Sequence, residues 1–238
     1  MKITILYDNR SSSPGVKEAW GFSCLIGKKV LFDTGGDPGI LSNNAEILGQ
    51  KLSGITDIVI SHDHWDHTGG IEAALTDNDG ANVHICPGFS AAFREKVRSL
   101  GGKIVEHKEF GDITEGVSVT GAISGIYKEK EIEEQAVVVR TDKGITLITG
   151  CAHPGIVKIA EKVKKNNASV RMNFVLGGFH LKNVSAEEIK RTAEQLRTLG
   201  FIAAGPCHCS GDEAPGIFKE VFTAGGSISV SAGKEFEV

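Results

Sequence analysis

Apolar residues repeat with the two-residue period of strands in some segments of this chain and with the 3.6-residue period of helices in others. Apolar runs at 2–7, 21–26 and 29–33 predict three strands near the N-terminus. Asp37-Pro38 predicts the start of a helix, and Ser185 with Glu188 forms a capping box for another helix that ends at Gly200. Further strands are predicted at 57–60, 82–86, 136–140, 145–149, 172–176, 201–204 and 227–230, and further helices at 69–76, at 89–100, from Pro154 and around 217–222.

The order of these elements predicts the fold class. In both halves, antiparallel strands come first and strand-helix units follow. The simplest packing is an α+β fold in which two mixed sheets lie face to face with helices outside. No low-complexity linker and no long charge run divides the chain, so one domain over residues 1–238 is expected.

Composition and charge narrow the class of protein. The chain has 238 residues, 40% hydrophobic and 24% charged, as in ordinary globular proteins. Its net charge of −4 (26 − 30) disfavours sequence-independent nucleic-acid binding, which requires a basic surface. We expect neither a membrane-spanning segment nor a signal peptide, and five cysteines are an odd number for a disulfide scaffold. A cytoplasmic protein is therefore predicted.

Histidines follow the predicted strands. His62, His64 and His67 come after the strand at 57–60, and three more follow later strands: His153, His180 and His208. Ligands of α/β proteins bind at the carboxyl ends of strands, so we expect these side chains to form one site.

The segment 62–67, His-Asp-His-Trp-Asp-His, is the strongest signal. Imidazoles and carboxylates are ligands for zinc, iron or manganese. Because other strands supply further donors, this short loop offers too many for one tetrahedral ion, and two ions explain the surplus. The alternative is a solvated acidic loop that happens to be rich in histidine.

His-x-His-x-Asp-His-x-Gly-Gly, with Asp33-Thr34-Gly35 upstream, resembles the metallo-β-lactamase superfamily. The resemblance implies a four-layer αββα sandwich with two divalent metal ions, zinc in preference to iron or manganese. Three further motifs resemble the subgroup named after a dihydropterin-ribofuranosylaminobenzene phosphate synthase: Gly-Cys-Ala-His-Pro-Gly at 150–155, Gly-Gly-Phe-His at 177–180 and Cys-His-Cys-Ser-Gly at 207–211.

The resemblance assigns roles residue by residue. Asp33 would orient a ligand histidine from behind, and Cys151 stands where a bridging aspartate often lies. The histidine usually found before the Gly150 strand is missing, which makes His153 the candidate replacement. Cys151 is either a ligand or a small buried residue. The metal ligands implied are His62, His64, Asp66, His67, His153 and His208.

Other residues near these motifs have several candidate roles. His180 is a candidate metal ligand, general acid or contact to an anionic group, the alternative being a core histidine. Cys207 and Cys209 should face away from His208 in an extended chain and are interpreted as packing, with a redox role as a lesser alternative. His84 and His107 are expected to be structural or solvated, Trp65 to wall the pocket or simply to pack, and 129–134 to be a solvated acidic face.

These residues predict a metal-dependent hydrolase of a small ester, lactone or phosphoester. Asp66 would hold the second metal and orient the nucleophile, and His180 would stabilise the oxyanion or protonate the leaving group. A transferase acting on a pterin-type diphosphate and a non-catalytic metal-binding module are the alternatives. The expected partner is a small molecule, either anionic or neutral, rather than nucleic acid or a membrane, and no feature of the sequence indicates an oligomeric state.

Overall fold

A computed structural model describes residues 1–223 and 225–238. The chain divides into two compact units, each built around one sheet. Unit 1 comprises Met1–Lys108 with Ser231–Glu237, and unit 2 comprises Glu109–Val230 with Val238. Within the described residues, no helix has the length and apolar character needed to cross a membrane.

Unit 1 contains a seven-stranded mixed sheet in the order β15-β1-β2-β3-β4-β5-β6. The strands from β3 to β6 are parallel, so their carboxyl ends share one edge of the sheet. Its elements are β1 (Lys2–Tyr7), β2 (Ser23–Ile26), β3 (Val30–Phe32), α1 (Pro38–Ile47), β4 (Asp57–Val59), α2 (Trp65–Thr68), α3 (Ile71–Leu75), β5 (Asn82–Ile85), α4 (Ala91–Ser99), β6 (Lys103–Glu106) and β15 (Glu235–Glu237).

Unit 2 contains a six-stranded mixed sheet in the order β14-β13-β12-β11-β8-β7, beside the two-stranded hairpin β9-β10. Strands β12, β13 and β14 are parallel. Its elements are β7 (Gly111–Thr114), β8 (Val117–Val119), β9 (Ile123–Tyr127), β10 (Lys130–Glu134), β11 (Val137–Thr141), β12 (Gly144–Thr149), α5 (Ile156–Asn166), β13 (Met172–Gly178), α6 (Ala186–Thr198), β14 (Ala203–Cys207), a 3-10 turn (His208–Ser210) and α7 (Ala214–Val221).

The helices of unit 2 cover its sheet through apolar faces. Helix α5 buries Ile156, Ile159 and Val163, which follow the helical period. Helix α6 begins at the predicted cap, where the Ser185 side chain accepts a hydrogen bond from the Glu188 backbone N–H. These helices and the buried sides of β11 to β14 form one apolar core.

Most predicted elements are present, and the α+β fold class is confirmed. The predicted strand at 227–230 is wrong. That segment makes one isolated bridge, between Ala204 and Ser227, and the last strand of the chain is β15. The hairpin β9-β10 was not predicted, because its alternating side chains are largely polar or exposed and lack a strong apolar period. The single domain over 1–238 stays a prediction.

Candidate metal centre

The loop after β4 holds the first group of donors, all in unit 1. The His62 ring lies 4.6 Å from the His64 ring and 4.2 Å from the His67 ring, measured between centroids. Asp66 Oδ2 is 3.6 Å from His67 Nε2. His62 and His67 are fully buried, and Asp66 is nearly so. The loop therefore brings the predicted donors within a few ångströms of one another.

Asp33 fixes two of these imidazoles from behind. His67 Nδ1 donates to Asp33 Oδ2 at 2.7 Å, and the Ser61 hydroxyl donates to the same oxygen at 2.8 Å. The Ser61 oxygen in turn lies 2.8 Å from His62 Nδ1. Burial raises the pKa of the Asp33 carboxyl, and the charge and hydrogen bond of His67 offset part of that rise. Because both Nδ1 atoms are engaged, a metal bound by His62 or His67 would be bound through Nε2, which fits the orienting role predicted for Asp33.

Glycines let two turns of unit 1 pack without space between them. A Cβ on Gly69 would lie 2.2 Å from Gly36 O, and one on Gly70 would lie 2.1 Å from Thr34 O. Thr34 also donates from its backbone N and its hydroxyl to His67 O, at 2.8 and 2.9 Å. The glycines after the histidine motif therefore allow the Asp33 turn to approach the ligand loop.

The second group of donors lies in unit 2, at the ends of three parallel strands. Cys151 follows β12, His180 follows β13 and His208 follows β14. His208 is 5% exposed and begins the 3-10 turn with a φ of 49°. The expectation that strand ends collect the later histidines is confirmed within this sheet.

Glu134 holds the turn that carries His153. This fully buried carboxylate accepts hydrogen bonds from the backbone N–H groups of Cys151, Ala152 and His153 at 2.9, 2.7 and 2.8 Å. It also accepts from His153 Nδ1 at 2.9 Å, so a metal bound by His153 would be bound through Nε2. The prediction that 129–134 is a solvated acidic face is therefore wrong for its last residue, because Glu134 lies at the end of the hairpin in the interior of unit 2. Sequence spacing gave no signal for this role.

Cys151, His153 and His180 form one cluster. One potential ligand atom from each lies within 4.8 Å of the other two. The His153 and His180 rings are 4.7 Å apart, and Tyr127 packs against them at 5.0 and 5.9 Å between centroids. His180 is exposed and has a φ of 53°, a conformation that non-glycine residues adopt mainly where the surroundings hold them. His180 therefore lies at the exposed edge of this cluster and is not a core histidine.

Cys209 is buried beside this cluster, with its Sγ 3.5 Å from Cys151 O, and the extended chain assumed for this segment is wrong. The 3-10 turn at 208–210 breaks the alternation of side chains that an extended chain would impose. Burial raises the pKa of the Cys209 thiol, but hydrogen bonds from Cys151 and His180 and the charges of His208 and His180 bring it well below its usual value. The hydrogen bond to Cys209 is also the largest cause that raises the pKa of His180.

The remaining histidines make a separate structural group in unit 1. His84 Nε2 donates to Asp57 Oδ1 at 2.9 Å, and His84 Nδ1 lies 2.8 Å from His107 Nε2. The structural role expected for these two histidines fits this network. Trp65, between the ligand histidines, is 64% exposed, so packing alone does not explain it.

A family model described as the metallo-beta-lactamase superfamily matches residues 23–199. The chain belongs to the metallo-β-lactamase superfamily. A relative from Methanocaldococcus jannaschii named 7,8-dihydropterin-6-methyl-4-(beta-D-ribofuranosyl)-aminobenzene-5'-phosphate synthase is 28% identical, covering 83% of this chain and 80% of that protein. This supports the predicted subgroup.

Solved structures agree with membership of the superfamily. Tm1679, described as a metal-dependent hydrolase of the beta-lactamase superfamily, is 32% identical and has a TM-score of 0.84, covering 100% of this chain and 99% of that one. The short form of human tRNase Z is 15% identical with a TM-score of 0.57, covering 87% of this chain and 92% of that one, and shows the shared fold alone.

Membership of the metallo-β-lactamase superfamily implies bound metal ions, and the donors fit them. Unit 1 supplies imidazoles and a carboxylate, and unit 2 supplies imidazoles and thiols. Both kinds of donor suit zinc or iron, whereas thiolates are poor ligands for harder ions such as magnesium or calcium.

Proposed function

We propose that this protein is a metal-dependent hydrolase of a small ester, lactone or phosphoester. The observation that carries the proposal is the pair of anchored donor turns. Asp33 holds His67 directly and His62 through the Ser61 hydroxyl, and Glu134 holds His153. A carboxylate that fixes a histidine through Nδ1 is the usual support of a metal ligand. The proposed ligands are His62, His64, Asp66, His67, His153 and His208, with Cys151 as a further candidate.

Two divalent ions, zinc in preference to iron or manganese, would supply a nucleophile from water near neutral pH and polarise the oxygen under attack. The chain's own residues supply position and protons. Asp66 would accept a hydrogen bond from the attacking water and orient it. His180, at the exposed side of its cluster, would donate a proton to the leaving group or contact an anionic oxygen.

The second candidate function is a synthase or transferase, favoured by the name of the M. jannaschii relative. In that reaction another nucleophile would replace water and a diphosphate would leave. Both candidates take a small-molecule substrate, and we propose that the protein acts in the cytoplasm without a nucleic-acid or membrane partner.

Metal content is the first test. Elemental mass spectrometry on untagged protein should find about two ions per chain in the wild type and about one in His153→Ala. His107→Gln is the matched control, because His107 bonds to His84 in the separate structural group. One ion or none in reconstituted wild type would contradict the two-metal proposal.

The reaction is then tested with the loaded protein on esters, lactones and phosphoesters in water labelled with oxygen-18. A label in the acid product supports hydrolysis. Transfer of the same group to an added amine or alcohol supports the synthase alternative. Full metal loading with no turnover of any member of the panel would favour a metal-binding module instead.

A further inference from the structure

Two cysteines of unit 2 lie next to each other beside the candidate centre. Cys209 Sγ is 3.5 Å from Cys151 O. Both residues are buried, with 5% and 4% of their surface exposed, and no disulfide joins them in the described residues. The Cys209 sulfur therefore already lies against the residue with which a disulfide would pair it.

The backbone around the two thiols is built for this approach. A Cβ on Gly178 would lie 2.6 Å from Cys209 Sγ and 3.2 Å from Cys151 Cα, so only glycine leaves room for both. Gly178 N donates to Gly150 O at 3.1 Å, and Lys182 N donates to Cys209 O at 3.2 Å. These bonds tie together the ends of β12, β13 and the 3-10 turn.

Left-handed residues flank the pair on each strand end. Ala152, His180 and His208 have φ angles of 60°, 53° and 49°. Non-glycine residues persist in that region only where the surrounding structure holds them, and they cluster at functional sites. Three constrained turns therefore hold Cys151 and Cys209 next to each other.

We propose that Cys151 and Cys209 are the two halves of a reversible disulfide that forms when the protein meets a hydroperoxide. The Cys209 sulfur attacks the outer oxygen of the peroxide, the O–O bond breaks, and a sulfenic acid and an alcohol (water from hydrogen peroxide) result. The Cys151 sulfur then displaces the hydroxyl, so the S–S bond forms, the S–O bond breaks and water leaves. Two electrons pass from the thiols to the peroxide, and the thiol protons end in the alcohol and the water.

The other cysteines differ from this pair. Cys24 and Cys86 are fully buried within unit 1, whereas the cluster of Cys151 ends at the exposed His180. A small peroxide would therefore approach Cys151 and Cys209 from the side of His180. The disulfide does not depend on the proposed hydrolysis. Only its consequence, loss of Cys151 as a candidate metal donor, rests on the proposed function.

The test uses untagged wild-type protein, both as isolated and after chelator treatment, with a small excess of hydrogen peroxide. Intact mass should fall by about 2 Da, the mass of two hydrogens, and dithiothreitol should restore it. Tryptic digestion without reductant should link peptide 144–158, which contains Cys151, to peptide 198–219, which contains Cys209. Peptides with Cys24 and Cys86 should stay reduced and serve as internal controls.

Variants identify the sulfurs. Cys207→Ser should keep the cross-link, and Cys209→Ser should abolish it. A bond between Cys207 and Cys209, survival of the link in Cys209→Ser, or gain of oxygen with no mass loss in both preparations would overturn the proposal. Because the readout is mass in the wild type, a poorly folded variant does not decide the outcome. A failed cross-link leaves metal content and turnover untouched, so this failure is distinguishable from failure of the proposed function.

Discussion

Removing the Glu134 carboxylate should destabilise the metal-free protein severely. Glu134 is fully buried and accepts four hydrogen bonds, three from backbone N–H groups and one from the His153 ring. In Glu134→Ala these donors lose their acceptor, and each buried unsatisfied donor costs about 1–3 kcal/mol. Taking the low end, because a water molecule can enter a polar space of this size, gives a loss of about 4 kcal/mol in the free energy of unfolding.

Glu134→Gln changes the hydrogen bonds without the loss of side-chain volume that Glu134→Ala causes. The amide keeps one oxygen and presents a donor where the other oxygen was. If the oxygen stays with Cys151 and Ala152, the NH₂ group faces two donors of His153. The amide and the His153 ring would then present two donors to each other. His153 can avoid this only by moving its proton from Nδ1 to Nε2, the atom needed as a ligand. We expect a loss of about 1–3 kcal/mol in stability together with weaker metal binding.

The assay is urea unfolding of chelator-treated protein, followed by circular dichroism, with Glu131→Ala as the matched control. Glu131 lies on the same strand but is exposed, so its removal should change stability by less than about 0.5 kcal/mol. Nitrogen-15 spectra of labelled histidine would report the His153 tautomer. If Glu134→Ala unfolds within about 1 kcal/mol of the wild type, the hydrogen-bond argument is refuted. If Glu134→Ala does not fold, Glu134→Gln alone provides the comparison.

Three further predictions follow from the described contacts. Asp33→Asn should weaken metal binding about 10- to 100-fold, measured by competition with a chromophoric chelator, and an unchanged affinity would remove Asp33 from its orienting role. Burial lowers the pKa of His84, so the folded state favours the neutral ring. The free energy of unfolding should therefore be highest above the pKa that His84 has in the unfolded chain, and it should fall as the pH drops below that value. In His84→Gln the free energy of unfolding should fall less between about pH 7 and 5 than it does in the wild type. A larger fall in the variant would contradict the lowered pKa of His84. Gly177→Ala should lower the melting temperature far more than Gly27→Ala, because a Cβ at 177 would lie 2.0 Å from Thr149 O, whereas a Cβ at 27 would meet no atom within 4 Å. Equal shifts in melting temperature would show that the β13 backbone moves to accommodate the methyl group.

The amino-acid sequence by itself determined the parts that depend on neighbouring residues. The pattern of apolar positions gave β1 without error and most helices within a few residues, because burial of one face imposes a local period. The six-residue segment from His62 to His67 indicated a metal centre, since donors so close in the chain stay close in any fold. Strand order was enough to predict that later histidines would gather at the ends of parallel strands.

Only the tertiary structure decided which groups support those donors. Glu134 and Cys151 are 17 residues apart and meet because a weakly apolar hairpin turns the carboxylate inward. Cys209 lies against Cys151 because a short 3-10 turn replaces the extended chain that its spacing suggested. Buried polar groups must find partners wherever the fold places them, and such partners have no fixed spacing along the sequence. Sequence therefore identified candidate ligands, whereas long-range packing determined how two of the donor turns are held.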